Sequence, residues 1–142
     1  MSEEATEYTI SMICEAPDNK DMTLNEYQRL AMTTCMDSCD NFAYMFLNLV
    51  GEIGEFASKV AKHIRKEKAM VDYNSLITEC GDNAMTQQDI ADLRKEAGDC
   101  LWQLAGLCKV MGWPLEDVAR ENLAKLADRK ARGVIDSSGD NR

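Results

Sequence analysis

Histidine is almost missing from this sequence, which has only His63, and proline is nearly so, with only Pro17 and Pro114. Six cysteines stand at 14, 35, 39, 80, 100 and 108, none of them in a Cys-x-x-Cys pair. With one imidazole and no paired thiols, a zinc site is not expected. The cysteines read as reduced thiols of a cytoplasmic protein, mostly packed in the core as small hydrophobes. Positive charge is also in deficit: 16 Lys and Arg against 25 Asp and Glu leave a net charge of −9. Such a surface repels a nucleic-acid backbone, which excludes nucleic acid as the expected partner. A phosphate-bearing substrate would then have to be met by metal ions or by a local basic patch. No leader of basic and then apolar residues opens the sequence, and no apolar run approaches the roughly 20 residues of a membrane span. A membrane partner is therefore not expected either. No segment alternates with period two for long enough to predict a sheet.

What the sequence does have is helical periodicity. With 142 residues, 45 % of them hydrophobic, it is long enough for one domain with a core of its own. Residues 1–20 lack periodicity and predict a mobile arm, or one that docks on a partner subunit. Residues 21–142 predict a single all-α domain, a compact bundle of four to five helices. A capping box from Thr23 to Glu26 opens the first helix, which is expected to reach about Met36. Asp37, Ser38, Asp40 and Asn41 then break and recap the chain.

The second helix is expected from about Phe42 to Lys66. Phe46, Val50, Ile53, Ala57, Val60 and Ile64 give it an apolar seam, read as its core face. Residues 67–88 are weakly patterned, with a short helix expected near Leu76. The third helix starts near Thr86 and ends near Gly112, with Leu93, Ala97, Cys100, Leu104, Leu107 and Met111 as apolar positions. Pro114 opens the fourth, which has Glu116 and Asp117 in its first turn, basic residues in its last turns and Gly133 as its stop.

Two acid-x-x-acid pairs stand out, Glu52 with Glu55 on the second helix and Glu96 with Asp99 on the third. Residues three apart share a helical face, so each pair concentrates like charge. Four carboxylates on two helices make an oxygen-rich cage suited to Mg²⁺ or Mn²⁺. No Glu-x-x-His accompanies them, which argues against a di-iron bundle. Lys59 and Lys62 continue the Glu52–Glu55 face, a cationic end suited to a polyphosphate. Asp92 and Gln103 extend the Glu96–Asp99 line. A solvated face laced with Glu-to-Lys pairs would show the same pattern. Gly51 and Gly54, costly inside a helix, favour close approach of another backbone or a ligand.

Leu49-Val50-Gly51-Glu52-Ile53-Gly54-Glu55, together with Glu96-x-x-Asp99, resembles the MazG-like all-α nucleoside triphosphate pyrophosphohydrolases. Leu24-Asn25-Glu26-Tyr27-Gln28 is similar to the family's first helix and Gly98-Asp99-Cys100-Leu101-Trp102 to its third. Asn122 to Gly133, with Gly139-Asp140-Asn141-Arg142, is similar to the tail of compact single-domain members. The likeness covers roughly residues 23–142. It implies a homodimer or homotetramer in which Glu52, Glu55, Glu96 and Asp99 hold Mg²⁺ or Mn²⁺. It also implies hydrolysis of a nucleoside or deoxynucleoside triphosphate to the monophosphate and pyrophosphate. On that reading Glu52 or Glu55 takes the proton of the attacking water, and Lys59 and Lys62 hold the leaving pyrophosphate. Lys125 and Arg129 are further phosphate candidates, and Asn122 a sugar or base contact. The chain departs from the family in having Gly51 where a second acid is common and Gln103 where tyrosine is frequent. Two other readings compete: a house-cleaning hydrolase specific for dUTP or dCTP, and a non-catalytic helical interaction module.

Overall fold

Side-chain caps set the helix boundaries. The computed structural model describes residues 22–79 and 81–135; the expected N-terminal arm, Cys80 and the tail from Asp136 lie outside them. The described residues group into two units. One is built from residues up to Cys35 and from Cys108 onward, and the other from Met36 to Leu107.

In the first unit, α1 spans Leu24–Ala31, and the Thr23 hydroxyl accepts from the Glu26 amide, as the capping box requires. The helix is shorter than predicted. It tightens into a 3₁₀ turn at Met32–Thr34 instead of running on to Met36. There the Thr33 hydroxyl donates to the Leu30 carbonyl at 2.6 Å and the Thr34 hydroxyl to that of Ala31 at 2.7 Å, so side chains occupy carbonyls that a longer helix would need. The last helix of the chain, Leu115–Ala131, starts after Pro114, which brings no side-chain cap of its own. α1 provides the caps. The Leu115 amide donates to Oε1 of Gln28 at 3.1 Å, the Glu116 amide donates to Oδ1 of Asn25 at 3.0 Å, and Gln28 Nε2 donates to the Trp113 carbonyl at 3.1 Å. Gly133, at φ 68°, ends this helix, with the Val134 amide bonded to the Arg129 carbonyl.

In the second unit, α2 spans Phe42–Arg65, and the Asn41 side chain accepts from the Tyr44 amide at 2.9 Å. Glu67 closes the helix in the left-handed region at φ 57°, and the Lys68 amide returns to the His63 carbonyl. Two short strands follow, β1 at Met70–Asp72 and β2 at Ser75–Ile77, paired antiparallel with Val71 opposite Leu76. This hairpin replaces the short helix expected near Leu76. Each strand has three residues, too few for a period of two to be visible. α3 spans Gln87–Val110 and contributes its residues as far as Leu107 to this unit. Thr86 and Asp89 cap it reciprocally: the Asp89 amide donates to the Thr86 hydroxyl and the Thr86 amide to the Asp89 carboxylate. With α3 in place, the helix at Leu115–Ala131 is α4.

Burial corrects the predicted faces. Of the α2 seam, Phe46, Val50 and Ile53 are exposed, Val50 by 59 %, and only Val60 among the six is half-buried. The inward side of α2 instead carries Met45, which is fully buried, with the half-buried Asn48, Leu49, Glu52 and Lys59. On α3 the buried positions include two polar residues, Glu96 and Gln103. Glu52 and Lys59 of one polar stripe and Glu96 and Gln103 of the other therefore turn into the fold, while Glu55, Lys62 and Asp99 stay exposed. Ala69, Met85 and Leu93, with Val60 and Ile90 against them, form a small apolar cluster beneath the junction of α2, hairpin and α3. No helix among the described residues is long and apolar enough to cross a membrane.

Candidate metal and phosphate site

Three of the four acids predicted on separate helices come together. One carboxylate oxygen from each of Glu52, Glu96 and Asp99 lies within 4.8 Å of the others. Glu52 projects from mid-α2, where Asn48, one turn earlier, donates from Nδ2 to its Oε1 at 3.0 Å. Glu96 is buried and Asp99 exposed on α3, so the trio spans from the helix interface to the surface. Partial burial, then the charges of Glu55 and Asp99, push the Glu52 carboxyl above the ordinary carboxylate range, against the Asn48 hydrogen bond, which pulls it down. Three hard oxygen donors that repel one another are the chemistry of a divalent-cation site, and the donor set fits Mg²⁺ or Mn²⁺.

Glu55, the fourth predicted ligand, is exposed on α2 and lies outside this trio, although its charge acts on Glu52. The glycines beside these acids do not mark a close approach among the described residues. A Cβ at Gly54 would meet nothing within 4 Å, and one at Gly51 only Asn48 Oδ1 at 3.8 Å.

The predicted lysines also fall where the sequence placed them, one turn and more along α2. Lys59 pairs with Glu96 across the helices, its Nζ bonded to Glu96 Oε1. That bond, and then the charge of Glu96, hold the Lys59 ammonium above its ordinary pKa, against the opposing cost of desolvation. Beyond it, Lys59, Lys62, His63, Lys66 and Lys68 line a cleft of about 180 Å³ with Asp89 and Asp92. Lys68 is anchored there to Asp89 at 2.9 Å. The Lys68 bond, followed by the Thr86 amide, holds the Asp89 carboxyl far below the usual carboxylate range.

Asn122, Lys125 and Arg129 lie on α4, in the other unit; Asn122 and Lys125 are exposed, and Arg129 is half-buried and donates to the Ile135 carbonyl. That unit has a wider cleft of about 470 Å³, lined by Arg29, Met32, Lys109 and Trp113 among others, but two of its amides, Asn25 and Gln28, are engaged as the α4 caps.

One cleft residue, His63, and one buried polar residue, Gln103, carry little sequence signal. His63 lines the cationic cleft, and its Nδ1 is buried with no hydrogen-bond partner among the described residues. Gln103 is buried, and its Oε1 likewise has no partner. Its position seven residues after Glu96 and four after Asp99 puts it on their helical face, and it stands where the family often has tyrosine. Among the described cysteines, Cys39, Cys100 and Cys108 are free thiols, Cys39 and Cys108 of them buried.

Comparison with known proteins identifies the family. Residues 41–134 match the family model of the MazG nucleotide pyrophosphohydrolase domain. A protein of Mycobacterium phage L5, named only "Gene 37 protein", is 40 % identical over 106 residues, covering 75 % of this chain and 81 % of its own length. No solved structure matches the chain. A family match that spans all of α2, α3 and α4, and so both acid pairs, settles the family: the chain belongs to the MazG nucleotide pyrophosphohydrolases, hydrolases acting on acid anhydrides.

Proposed function

We propose that the chain hydrolyses a nucleoside or deoxynucleoside triphosphate to the monophosphate and pyrophosphate, with Mg²⁺ (or Mn²⁺) held by Glu52, Glu96 and Asp99. The observation that carries this reading is the carboxylate trio, with its ligand oxygens within 4.8 Å, standing next to a cleft lined by lysines. The acids suit the cation and the lysines suit the phosphates, and neither alone would select a polyphosphate. When bound, Mg²⁺ supplies positive charge against the phosphate oxygens and acidifies a water.

The chain's own groups do the rest. Glu55 lies outside the trio and is the acceptor for the proton of the attacking water, with the second oxygen of Glu52 as the alternative. Lys59 and Lys62 hold the leaving pyrophosphate as flexible point charges. On α4 we assign Lys125 and Arg129 to phosphate and Asn122 to sugar or base. We further propose that residues 21–142 act as one domain in a cytoplasmic homodimer or homotetramer. The exposed apolar seam of α2 supports assembly, because Phe46, Val50 and Ile53 are left in water by the single chain.

The test is a panel of ribo- and deoxyribonucleoside triphosphates assayed for pyrophosphate release, with Mg²⁺ or with EDTA. Pyrophosphate and monophosphate should appear in equal amounts, only with metal, and be lost in Asp99→Ala. Release of orthophosphate alone, or full activity of Asp99→Ala, would sink the proposal.

A further inference from the structure

We propose that Lys59 is an exchangeable counter-ion of the metal site: its ammonium occupies Glu96 while no metal is bound and is handed to the substrate's phosphates when the metal arrives. This rests on the metal-site reading above and adds an order of events to it.

The argument starts from charge. Glu52, Glu96 and Asp99 crowd three carboxylate oxygens within 4.8 Å, and burial deepens their repulsion at Glu96. A nearly buried carboxylate is costly to leave unpaired and favours a cation against it. Lys59 is that cation, seated on Glu96 Oε1. The two partners are unequally held. The Glu96 side chain is 9 % exposed and fixed between helices, whereas that of Lys59 is 43 % exposed on a four-carbon stem. A divalent ion that takes the trio therefore competes for the very carboxylate that Lys59 holds. The member of the pair able to leave is the lysine.

Its destination is also built. Lys59 lines the cationic cleft with Lys62, Lys66 and His63, so its head group borders the acids on one side and that cleft on the other. While paired with Glu96 it offers little charge to an anion. Once displaced, it adds a positive charge to the cleft. Metal binding would thus switch the phosphate side on, and a metal–triphosphate complex would satisfy both halves together.

The test is calorimetric Mg²⁺ titration without nucleotide, on the wild type, Lys59→Met, Lys59→Arg and Asp99→Asn. Removing the competitor should tighten Mg²⁺ binding in Lys59→Met by about tenfold, the order expected for one partly exposed charge. Lys59→Arg should stay near the wild type, and Asp99→Asn should lose binding. Equal or weaker binding in Lys59→Met, with Asp99→Asn still deficient, overturns the exchange and leaves the metal site standing. If no Mg²⁺ binds the wild type, or Asp99→Asn binds as well as it does, the metal-site reading fails and the exchange with it. Should Lys59→Met not fold, lysine side-chain NMR on the wild type decides. The Lys59 ammonium signal should be slow to exchange with water in EDTA and should shift or vanish as Mg²⁺ saturates the site. A signal unmoved by saturating Mg²⁺ overturns the proposal.

Discussion

Replacing Glu52 by Gln should make the metal-free protein more stable and the metal-loaded protein less so. Gln keeps the shape and still accepts from Asn48, whose amide donates to Glu52 at 3.0 Å, so the change removes charge alone. At the 4.8 Å limit of the trio, two like charges repel by roughly 1 kcal/mol in water and about 3.5 kcal/mol at an effective dielectric of 20. Glu96 is already paired with Lys59, so the repulsion relieved is that from Glu55 and then Asp99, and half-burial places it near the lower figure. The expected gain is about 1 kcal/mol, or roughly 3 °C in Tm for a chain of this size. Because the Glu52 carboxyl is raised above its ordinary value in the folded state, the sign with pH is fixed. The folded protein binds that proton more tightly than the unfolded chain, so the wild type loses stability as pH rises through the raised pKa. The gap to Glu52→Gln is full above that pKa and closes as pH falls to the ordinary carboxylate range. With Mg²⁺ at a hundred times its Kd the wild type gains about 2.7 kcal/mol, which the substituted protein cannot match, and the order of melting temperatures reverses. Thermal unfolding in EDTA and in Mg²⁺, at two pH values, reads all of this. A lower Tm for Glu52→Gln in EDTA, or an equal gain from Mg²⁺ in both proteins, would refute the reasoning.

Lys62→Met should lower kcat/KM for the triphosphate about tenfold while leaving calorimetric Mg²⁺ affinity unchanged, because Lys62 lines the cationic cleft and makes no bond to the trio. Gln28→Ala removes a cap from α4 and should cost about 1 kcal/mol in urea unfolding, with Mg²⁺ affinity intact. Asp89→Ala should destabilise the protein at neutral pH, since the Asp89 carboxylate holds both Lys68 and the Thr86 amide. Its carboxyl is lowered in the folded state, so the loss should be full above the ordinary carboxylate pKa and shrink on acidification below it; a deficit that is the same at pH 3 and pH 7 would refute that assignment.

The elements that were legible in the sequence are those written in local code. Asn41, Thr86 and Gly133 bound helices because a cap acts within a few residues, and Pro114 because its fixed φ suits a helix start. The two acid pairs were legible for the same reason, spacing along one helix. What depended on partners far along the chain was not. The pairing of Lys59 with Glu96 joins residues 37 apart, and the α4 caps come from residues 87 and 91 positions away. The buried side of α2 was read from its apolar seam, but Glu52 and Lys59 turn inward to meet Glu96 and leave Phe46 and Val50 outside. Apolar periodicity locates a greasy face without saying what it faces, and here a charged lining had the stronger claim on the interior. The hairpin escaped because three-residue strands carry no period.

The amides of Asn25 and Gln28 also set how short the protein can be cut. The recognisable family segment begins at residue 41, yet the opening turn of α4 rests on side chains sixteen and thirteen residues before that point. A fragment trimmed to 41–134 would keep every carboxylate and lysine of the site but would present a proline-led helix start with its first amides uncapped. The matched span is thus expected to fold less well than a fragment that keeps α1. A search for a minimal active version should begin no later than Thr23, where the α1 cap itself begins.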